Sequence, residues 1–506
     1  MRVFTPQQMR EIDRAAFSEV SEDALMRAAG KRVAERAFGF VGEGRIVAFA
    51  GKGNNGGDAF AALATLPKNC ARTIYAEKSE APSAARRAAE RRARDRGVSV
   101  KAFPRDLTEA RKALKGCVLV IDGLLGTGSR LPIPAHYVPV ITAINESGIS
   151  VLSIDIPSGT DAESGAAGEP AIRARYTVTL GALKIGLLLE PARSYAGALF
   201  LGEIGLPQAA LDSQTAQYEA LNDTEFVALL PHRAADADKR KAGAPLIVAG
   251  SEQFPGAAVL CALGAARAGA GYVTVATPQS AATALRSHLI EQVVVTIGDG
   301  SAAEVVDDLL DVAKRCSSIG IGPGLGLDDR TGEIVRGLVQ RCELPMVADA
   351  SALFHFAKNL ELLRDKPIVL TPHEGEFARL SGKGTILPGE RIARLREFVE
   401  RTGITTLLKG ESTLIYDGKM MHVNTTGTPA LATAGTGDVL TGMIATLLSQ
   451  GLAPVDAART AAYWHGLAGK LAHRWHPVGV IARDVADALG AAIPHEPPAS
   501  PLLRIF

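Results

Sequence analysis

The run Gly51-Lys52-Gly53-Asn54-Asn55-Gly56-Gly57-Asp58 packs four glycines and two asparagines into eight residues. Glycine at that density lets the backbone take positive φ and approach a ligand closely. The run follows the apolar stretch Arg45–Ala50 and opens an apolar helix. A strand-to-helix turn of this kind offers N–H groups and a helix N-terminus to an anion such as a phosphate. It is neither a G-x-G-x-x-G fingerprint nor a Walker loop. A tight turn alone would need one Gly and one Asn, so the excess is read as binding. Two later apolar runs end in the same manner. One continues as Asp122-Gly123-Leu124-Leu125-Gly126-Thr127-Gly128-Ser129-Arg130-Leu131-Pro132, the other as Asp155-Ile156-Pro157-Ser158-Gly159. In an open parallel sheet, residues past the carboxyl ends of strands converge on one crevice, which brings Asn55, Asp122, Asp155 and Ser158 together. Oxygens from Asn55, Asp122 and Ser158 suit a hard cation rather than zinc, and one carboxylate among them points to a monovalent ion. The two glycine loops would hold phosphates, with Arg130 as a bidentate donor. Asp155 is left as the general acid–base.

A second constellation lies further along. Gly322-Pro323-Gly324-Leu325-Gly326, Thr371-Pro372-His373-Glu374-Gly375-Glu376 and Lys409-Gly410-Glu411-Ser412-Thr413 each follow an apolar run, and Ala434-Gly435-Thr436-Gly437-Asp438 opens an apolar helix. Consecutive N–H groups at that helix start form an anion hole, and Asp438 in the first turn can take a proton from a substrate hydroxyl. Such parts make a phosphoryl-transfer site. A helix cap with a glycine turn would explain Asp438 but not its three companion motifs. His373 reads either as a hydrogen-bonded packing residue or as a ligand contact. His422, His465, His473 and His476 read as structural. Lys241, in a basic cluster, could touch phosphate.

These motifs need a scaffold. Arg45–Ala50, Cys117–Asp122 and Ile149–Ile154 are near-continuous apolar runs, as are Pro245–Gly250, Tyr272–Ala276, Gln292–Thr296, Ser317–Gly322, Pro345–Asp349, Pro367–Thr371 and Thr405–Lys409. Runs of this kind suit strands buried on both faces of a parallel sheet, with helices between them. The expectation is two tandem α/β domains, a Rossmann-like sheet over 1–215 and a second α/β domain over 216–506. Pro82–Arg96 reads as a helix with a solvated basic face, and the Pro-rich ending 494–506 as a loosely held tail.

Composition narrows the classes. The 506 residues are 22% charged and 47% hydrophobic with formal net charge +1. Nucleic-acid binders carry an excess of Lys and Arg, so no nucleic-acid partner is expected. The five cysteines, Cys70, Cys117, Cys261, Cys316 and Cys342, form no C-x-x-C pair and read as reduced core thiols in a cytoplasmic protein. The start lacks the apolar stretch of a signal peptide and no run of about 18 apolar residues exists, so no membrane partner is expected.

The ordered set GKGNNGGD, DGLLGTG, DIPSG, GPGLG, TPHEGE, KGEST and AGTGDVLTG resembles the bifunctional NAD(P)H-hydrate repair enzymes, which fuse an NAD(P)H-hydrate epimerase to an ADP-dependent NAD(P)H-hydrate dehydratase of ribokinase-like fold. The resemblance spans nearly the whole chain. It implies that Asn54, Asn55, Gly56, Gly57 and Asp58, with Gly126 to Pro132 and Asp155, bind the hydrated dinucleotide in the epimerase. It further implies K+ on Asn55, Asp122 and Ser158. In the dehydratase it implies that Ala257, Gly324, His373 and Asp438 contact the hydrate and that Lys409, Gly410, Glu411, Ser412, Thr413 and Gly437 bind the adenine nucleotide, with ADP as co-substrate and Mg2+ at the site. Asp349-Ala350-Ser351 carries Ser where the family has Asp, so no metal role is carried over there. Assembly into a homo-oligomer is expected. The alternative is a small-molecule kinase, of vitamin-precursor or sugar type, fused to a nucleotide-binding module.

Overall fold

Apolar runs alternating with helices can bury both faces only inside a parallel sheet, and in the computed structural model they do so twice. The structure describes residues 1–233, 238–387, 389–494 and 502–506. The chain divides into two compact units between Tyr218 and Glu219, and its last strand belongs to the first unit.

The strands of the first unit are β1 (Arg2–Phe4), β2 (Arg45–Ala50), β3 (Arg72–Ala76), β4 (Ser99–Ala102), β5 (Cys117–Gly123), β6 (Ser150–Ile154), β7 (Tyr176–Leu180), β8 (Leu183–Lys184) and β9 (Ala198–Gly202). From β9 the sheet runs β9-β7-β6-β5-β2-β3-β4, all parallel, and β8 pairs separately with β1. The chain builds outward from β2 to β4, then returns to lay β5 on the other side of β2. That reversal opens a crevice over the carboxyl ends of β2 and β5, the place where open α/β sheets bind ligands. Ala50 stands opposite Gly123, and the Gly51 N–H donates to the Gly123 carbonyl at 3.0 Å, so both loops leave the sheet at one level.

The short strand β10 (Tyr218–Glu219) straddles the division. The second unit carries β11 (Pro245–Val248), β12 (Thr274–Pro278), β13 (Val293–Ile297), β14 (Ser318–Ile321), β15 (Met346–Ala348), β16 (Ile368–Leu370), β17 (Thr405–Leu408), β18 (Leu414–Tyr416) and β19 (Met421–Val423). Their order is β13-β12-β11-β14-β15-β16-β17-β18-β19, parallel as far as β17 and antiparallel beyond. Here the order reverses between β11 and β14. The Gly250 N–H donates to the Pro323 carbonyl at 2.8 Å across that gap. This is the mostly parallel α/β arrangement expected of the second half.

Two expectations are corrected. Residues 502–504 form β20 (Leu502–Arg504), antiparallel to β9, and the Ile505 N–H donates to Leu199 O at 2.8 Å. An exposed edge strand is a liability that a short apolar segment removes by pairing; the part of the ending at 495–501 lies outside the described residues. The basic helix is Ala84–Asp95, and it buries Arg86 along with Ala85, Ala89 and Ala93, so one of its arginines is not solvated. Among the described residues no helix is long and apolar enough to cross a membrane.

The core of the second unit depends on two helices, Pro255–Arg267 and Thr436–Ser449, in close contact. Gly442 makes that approach possible: a Cβ there would lie 1.9 Å from the Cys261 carbonyl oxygen. The packing fixes the helix whose first turn carries Asp438. Gly442→Ala should destabilise the second unit by about 1–3 kcal/mol, the cost of overpacking a filled core. A denaturant titration following Trp464 and Trp475 fluorescence reads it.

Candidate active sites

In the first unit the crevice is a cavity of about 530 Å3. Asn54, Asn55 and Asp58 from the helix Asn54–Thr65, Gly126 to Ser129 from the loop after β5, and Asp155 after β6 line it. Gly56 and Gly57 are buried in the first helical turn. Arg130, Leu131 and Pro132 continue the loop off the cavity wall, with Arg130 exposed. Asp155 has φ of 66°, a left-handed conformation that a short polar side chain tolerates better than most. Its Oδ1 accepts from Lys184 Nζ at 2.5 Å, the Leu180 N–H at 3.1 Å and the Thr179 hydroxyl at 3.2 Å. Lys184, only 2% exposed, also donates to the Leu180 carbonyl at 2.7 Å. Lys184 lines the cavity and was not found from sequence; it follows β7, which lies beside β6, and its ammonium folds back onto the end of β7.

Asp122 and Ser158 lie behind that cavity, fully buried. Asp122 accepts from the Ser158 hydroxyl at 2.6 Å, the Ser158 N–H at 2.9 Å and the Ser153 hydroxyl at 2.8 Å. Burial pushes its carboxyl up, and these hydrogen bonds work against the shift. The Leu125 peptide joins them to Asn55: its N–H donates to Ser158 Oγ at 2.9 Å, and its carbonyl accepts from Asn55 Nδ2 at 2.8 Å. Asn55 Oδ1 is left buried without a hydrogen-bond partner. A buried oxygen with no donor costs about 1–3 kcal/mol, and beside a buried carboxylate it suits a cation. Asp155, expected in the same cluster, shares the cavity wall with Asn55 but bonds to Lys184, Leu180 and Thr179 rather than to Asp122 or Ser158.

The glycine loop is held by Arg86. Its guanidinium donates to the Gly51 carbonyl, to the Gly53 carbonyl at 2.9 Å and to the Glu77 carbonyl at 3.3 Å. Burial lowers its pKa, and the three carbonyls are its compensation. Periodicity made Arg86 look like one of several surface arginines.

In the second unit Asp438 sits half-buried in the first turn of Thr436–Ser449. Desolvation, then the charge of Asp349, push its carboxyl up to about 7, with Lys409 opposing. Asp349 is buried. It accepts from Lys409 Nζ at 2.7 Å and from the Thr441 hydroxyl at 2.9 Å. Burial works against the ammonium of Lys409, but Asp349 and Glu376 outweigh it and its pKa rises. A Cβ on Gly437 would lie 3.5 Å from Lys409 Nζ and 3.7 Å from Asp349 Oδ2, so Gly437, Lys409, Asp349 and Asp438 form one group. Asp349 is the member that sequence reasoning passed over. The signal was its place at the end of an apolar run.

Gly324, with φ of 66°, meets Ala257 at the reversal point: a Cβ on Gly324 would lie 2.8 Å from the Ala257 Cβ. The Lys409–Thr413 loop is pinned by Arg391, which donates to the carbonyls of Ser412 at 2.7 Å and Lys409 at 3.1 Å and pairs with Glu374 at 3.0 Å. Gly410 and Glu411 lie between those carbonyls, and the Thr413 hydroxyl donates to the Gly410 carbonyl at 3.3 Å. His373 caps the helix Glu374–Ser381: its Nδ1 accepts the Gly375 N–H at 3.0 Å, and the ring is 62% exposed. His422 and His465 are buried and pushed down to about 4 by desolvation, hence neutral. Lys241 precedes the amino end of β11 and lines a separate cavity of about 330 Å3. That is the opposite end of the strand from Gly250, which corrects its expected contact with phosphate.

Fold and sites thus define a tandem α/β enzyme with a candidate site at the carboxyl edge of the sheet in each half. Residues 22–186 match the family described as YjeF-related protein N-terminus, and residues 245–490 match the family described as NAD(P)H-hydrate dehydratase. The chain is 36% identical to the bifunctional NAD(P)H-hydrate repair enzyme Nnr of Moorella thermoacetica, across 97% of this chain and 96% of that one. It is 34% identical to the same enzyme of Thermofilum pendens, across 93% and 92%. A crystal structure of the ADP/ATP-dependent NAD(P)H-hydrate dehydratase of Bacillus subtilis, co-crystallized with ATP/Mg2+, is 30% identical over 54% of this chain and 96% of that chain, with a TM-score of 0.46. The chain belongs to the bifunctional NAD(P)H-hydrate repair enzymes.

Removing Arg86 leaves buried carbonyls without a donor, and hydrogen bonds to a charged group contribute about 1.5–3 kcal/mol each. Arg86→Ala should therefore weaken dinucleotide binding to the first unit by about ten- to a hundredfold, as measured by calorimetric titration.

Proposed function

We propose that the first unit interconverts the S and R forms of hydrated NADH and NADPH, and that the second dehydrates the S form at the expense of ADP. Hydration of a dihydronicotinamide places the hydroxyl on the carbon beside the ring nitrogen, because protonating the enamine makes that carbon an electrophilic iminium. Hydroxide is a poor leaving group. Phosphorylating it first makes the elimination easy, which gives a kinase-like site a purpose in a dehydration.

The observation that carries the reading is the carboxyl of Asp438, held near 7 at a helix start beside Lys409 and Asp349. A general base works best with a pKa near the operating pH. Asp438 takes the proton of the substrate hydroxyl as its oxygen attacks the terminal phosphorus. The N–H groups at the helix start and the Lys409 ammonium meet the charge on the transferring group. Ala257, Gly324 and His373 contact the hydrate, and Lys409 to Thr413 with Gly437 hold the nucleotide. Among the described residues no group of three or more His, Cys, Asp or Glu could hold a metal ion. Mg2+ is commonly bound through substrate phosphates and one or two carboxylates, and it would enter with the nucleotide.

In the first unit Asn54 to Asp58 and Gly126 to Ser129 bind the dinucleotide, and Asp155 moves a proton as the hydroxyl leaves and returns. Asn55, Asp122 and Ser158 suit K+, which would screen Asp122 and satisfy Asn55 Oδ1. Five free cysteines are in keeping with a reducing compartment such as the cytoplasm.

Incubation with hydrated NADH and ADP should restore dinucleotide absorbance and release inorganic phosphate; accumulation of a phosphorylated product would mark a simple kinase instead. Dehydration kcat/KM should rise with pH through about 7 as Asp438 loses its proton. Asp438→Asn should lower it by about 10²–10⁴-fold and flatten the profile. K+ should raise the melting temperature of the wild-type chain, as any ligand selective for the folded state does, and Na+ should do so less. In Asn55→Ala the K+ increment should vanish.

A further inference from the structure

Inversion at the hydroxyl-bearing carbon needs one group to give a proton and another to take one, yet only Asp155 has been given such a task. The cavity of the first unit holds a second carboxyl, Asp58, one helical turn beyond Asn54. The two carboxyls live in different surroundings. Asp155 is ion-paired with the buried ammonium of Lys184 and accepts a backbone N–H as well. Asp58 has no hydrogen-bonded cation among the described residues. Desolvation, then the charges of Asp155 and Asp13, hold it well above the usual carboxylate range, with Lys184 opposing. Asp13 on the helix Pro6–Ala16 and Glu22 at the start of Glu22–Ala37 also face the cavity, as do Arg10 and Lys52. Two carboxyls in one cavity, one held against an ammonium and the other without one, have the unlike surroundings of an acid–base pair.

We propose that Asp58 is the proton donor and Asp155 the proton acceptor of the epimerase, with Lys184 the positioning residue that fixes this division. The inference rests on the epimerase reading above. Asp58 gives its proton to the hydroxyl, the C–O bond breaks, and water leaves as the ring nitrogen's lone pair forms the iminium. Water then adds to the opposite face, its oxygen pair making the new C–O bond and its proton passing to Asp155. The proton returns from Asp155 to Asp58 through solvent, so one water and one proton are each released and regained.

The test follows isomer interconversion by the full chain without ADP, by chromatography, as a function of pH. Asp58→Asn is isosteric. It should lower kcat by about a hundredfold, within the span of an acid–base contribution, leave KM within a few-fold, and remove the alkaline limb of the kcat profile. Lys184→Met should move the acid limb to higher pH, and Lys184→Arg should restore it. An Asp58→Asn chain that keeps its alkaline limb and most of its kcat overturns the proposal, as does a folded Lys184→Met chain with an unmoved profile. Should Lys184→Met fail to fold by circular dichroism, Asp58→Asn decides alone. A wild-type chain that never interconverts the isomers would instead remove the epimerase reading itself.

Discussion

A parallel sheet sends all its strands the same way, so every loop leaving its carboxyl edge opens on one side. Both units accept that constraint and exploit the single place where strand order reverses. Between β2 and β5, and again between β11 and β14, neighbouring loops diverge to opposite faces and leave a gap. The glycine loop, Asn55 and the loop after β5 border the first gap; Ala257 and Gly324 touch at the second. Catalytic and binding residues far apart in sequence are neighbours because the strands that end beside them are neighbours.

The buried carboxyls show how each site uses that placement. Asp155 and Asp349 each have a lysine within ion-pairing distance, Lys184 at 2.5 Å and Lys409 at 2.7 Å. Asp122 has hydroxyls and N–H groups but no ammonium, and stands beside an unpartnered amide oxygen. Asp438 is desolvated and has the negative Asp349 as a neighbour, and its carboxyl rises to about 7. Desolvation raises the carboxyls of Asp122 and Asp438; the four differ in what stands opposite. A carboxyl raised to about 7, as that of Asp438 is, can gain and lose a proton during a reaction cycle.

Two arginines do comparable work from outside the reacting centres. Arg86 reaches up to the carbonyls of the glycine loop, and Arg391 to those of the Lys409–Thr413 loop. A planar guanidinium with its donors in a fixed fork suits several carbonyls at once. Glycine-rich loops are loose as isolated chain, and a buried fork of donors is what makes them a preformed cradle.

The sequence by itself determined the alternation of buried strand and helix, the glycine loops at strand ends, and Asp155 and Asp438 as the carboxyls beside them. Those features are local: hydrophobic period, turn chemistry and the residue that follows a strand are written in consecutive positions. Tertiary structure alone decided the partners. Lys184 meets Asp155 because β7, from which it follows, lies beside β6, and Asp349 meets Lys409 because β15, β16 and β17 lie side by side. Arg86 left a surface that its composition made look solvated, and β20 closed an edge that the sequence left to a loose tail. Which charges face one another depends on distances across the fold that no local pattern encodes.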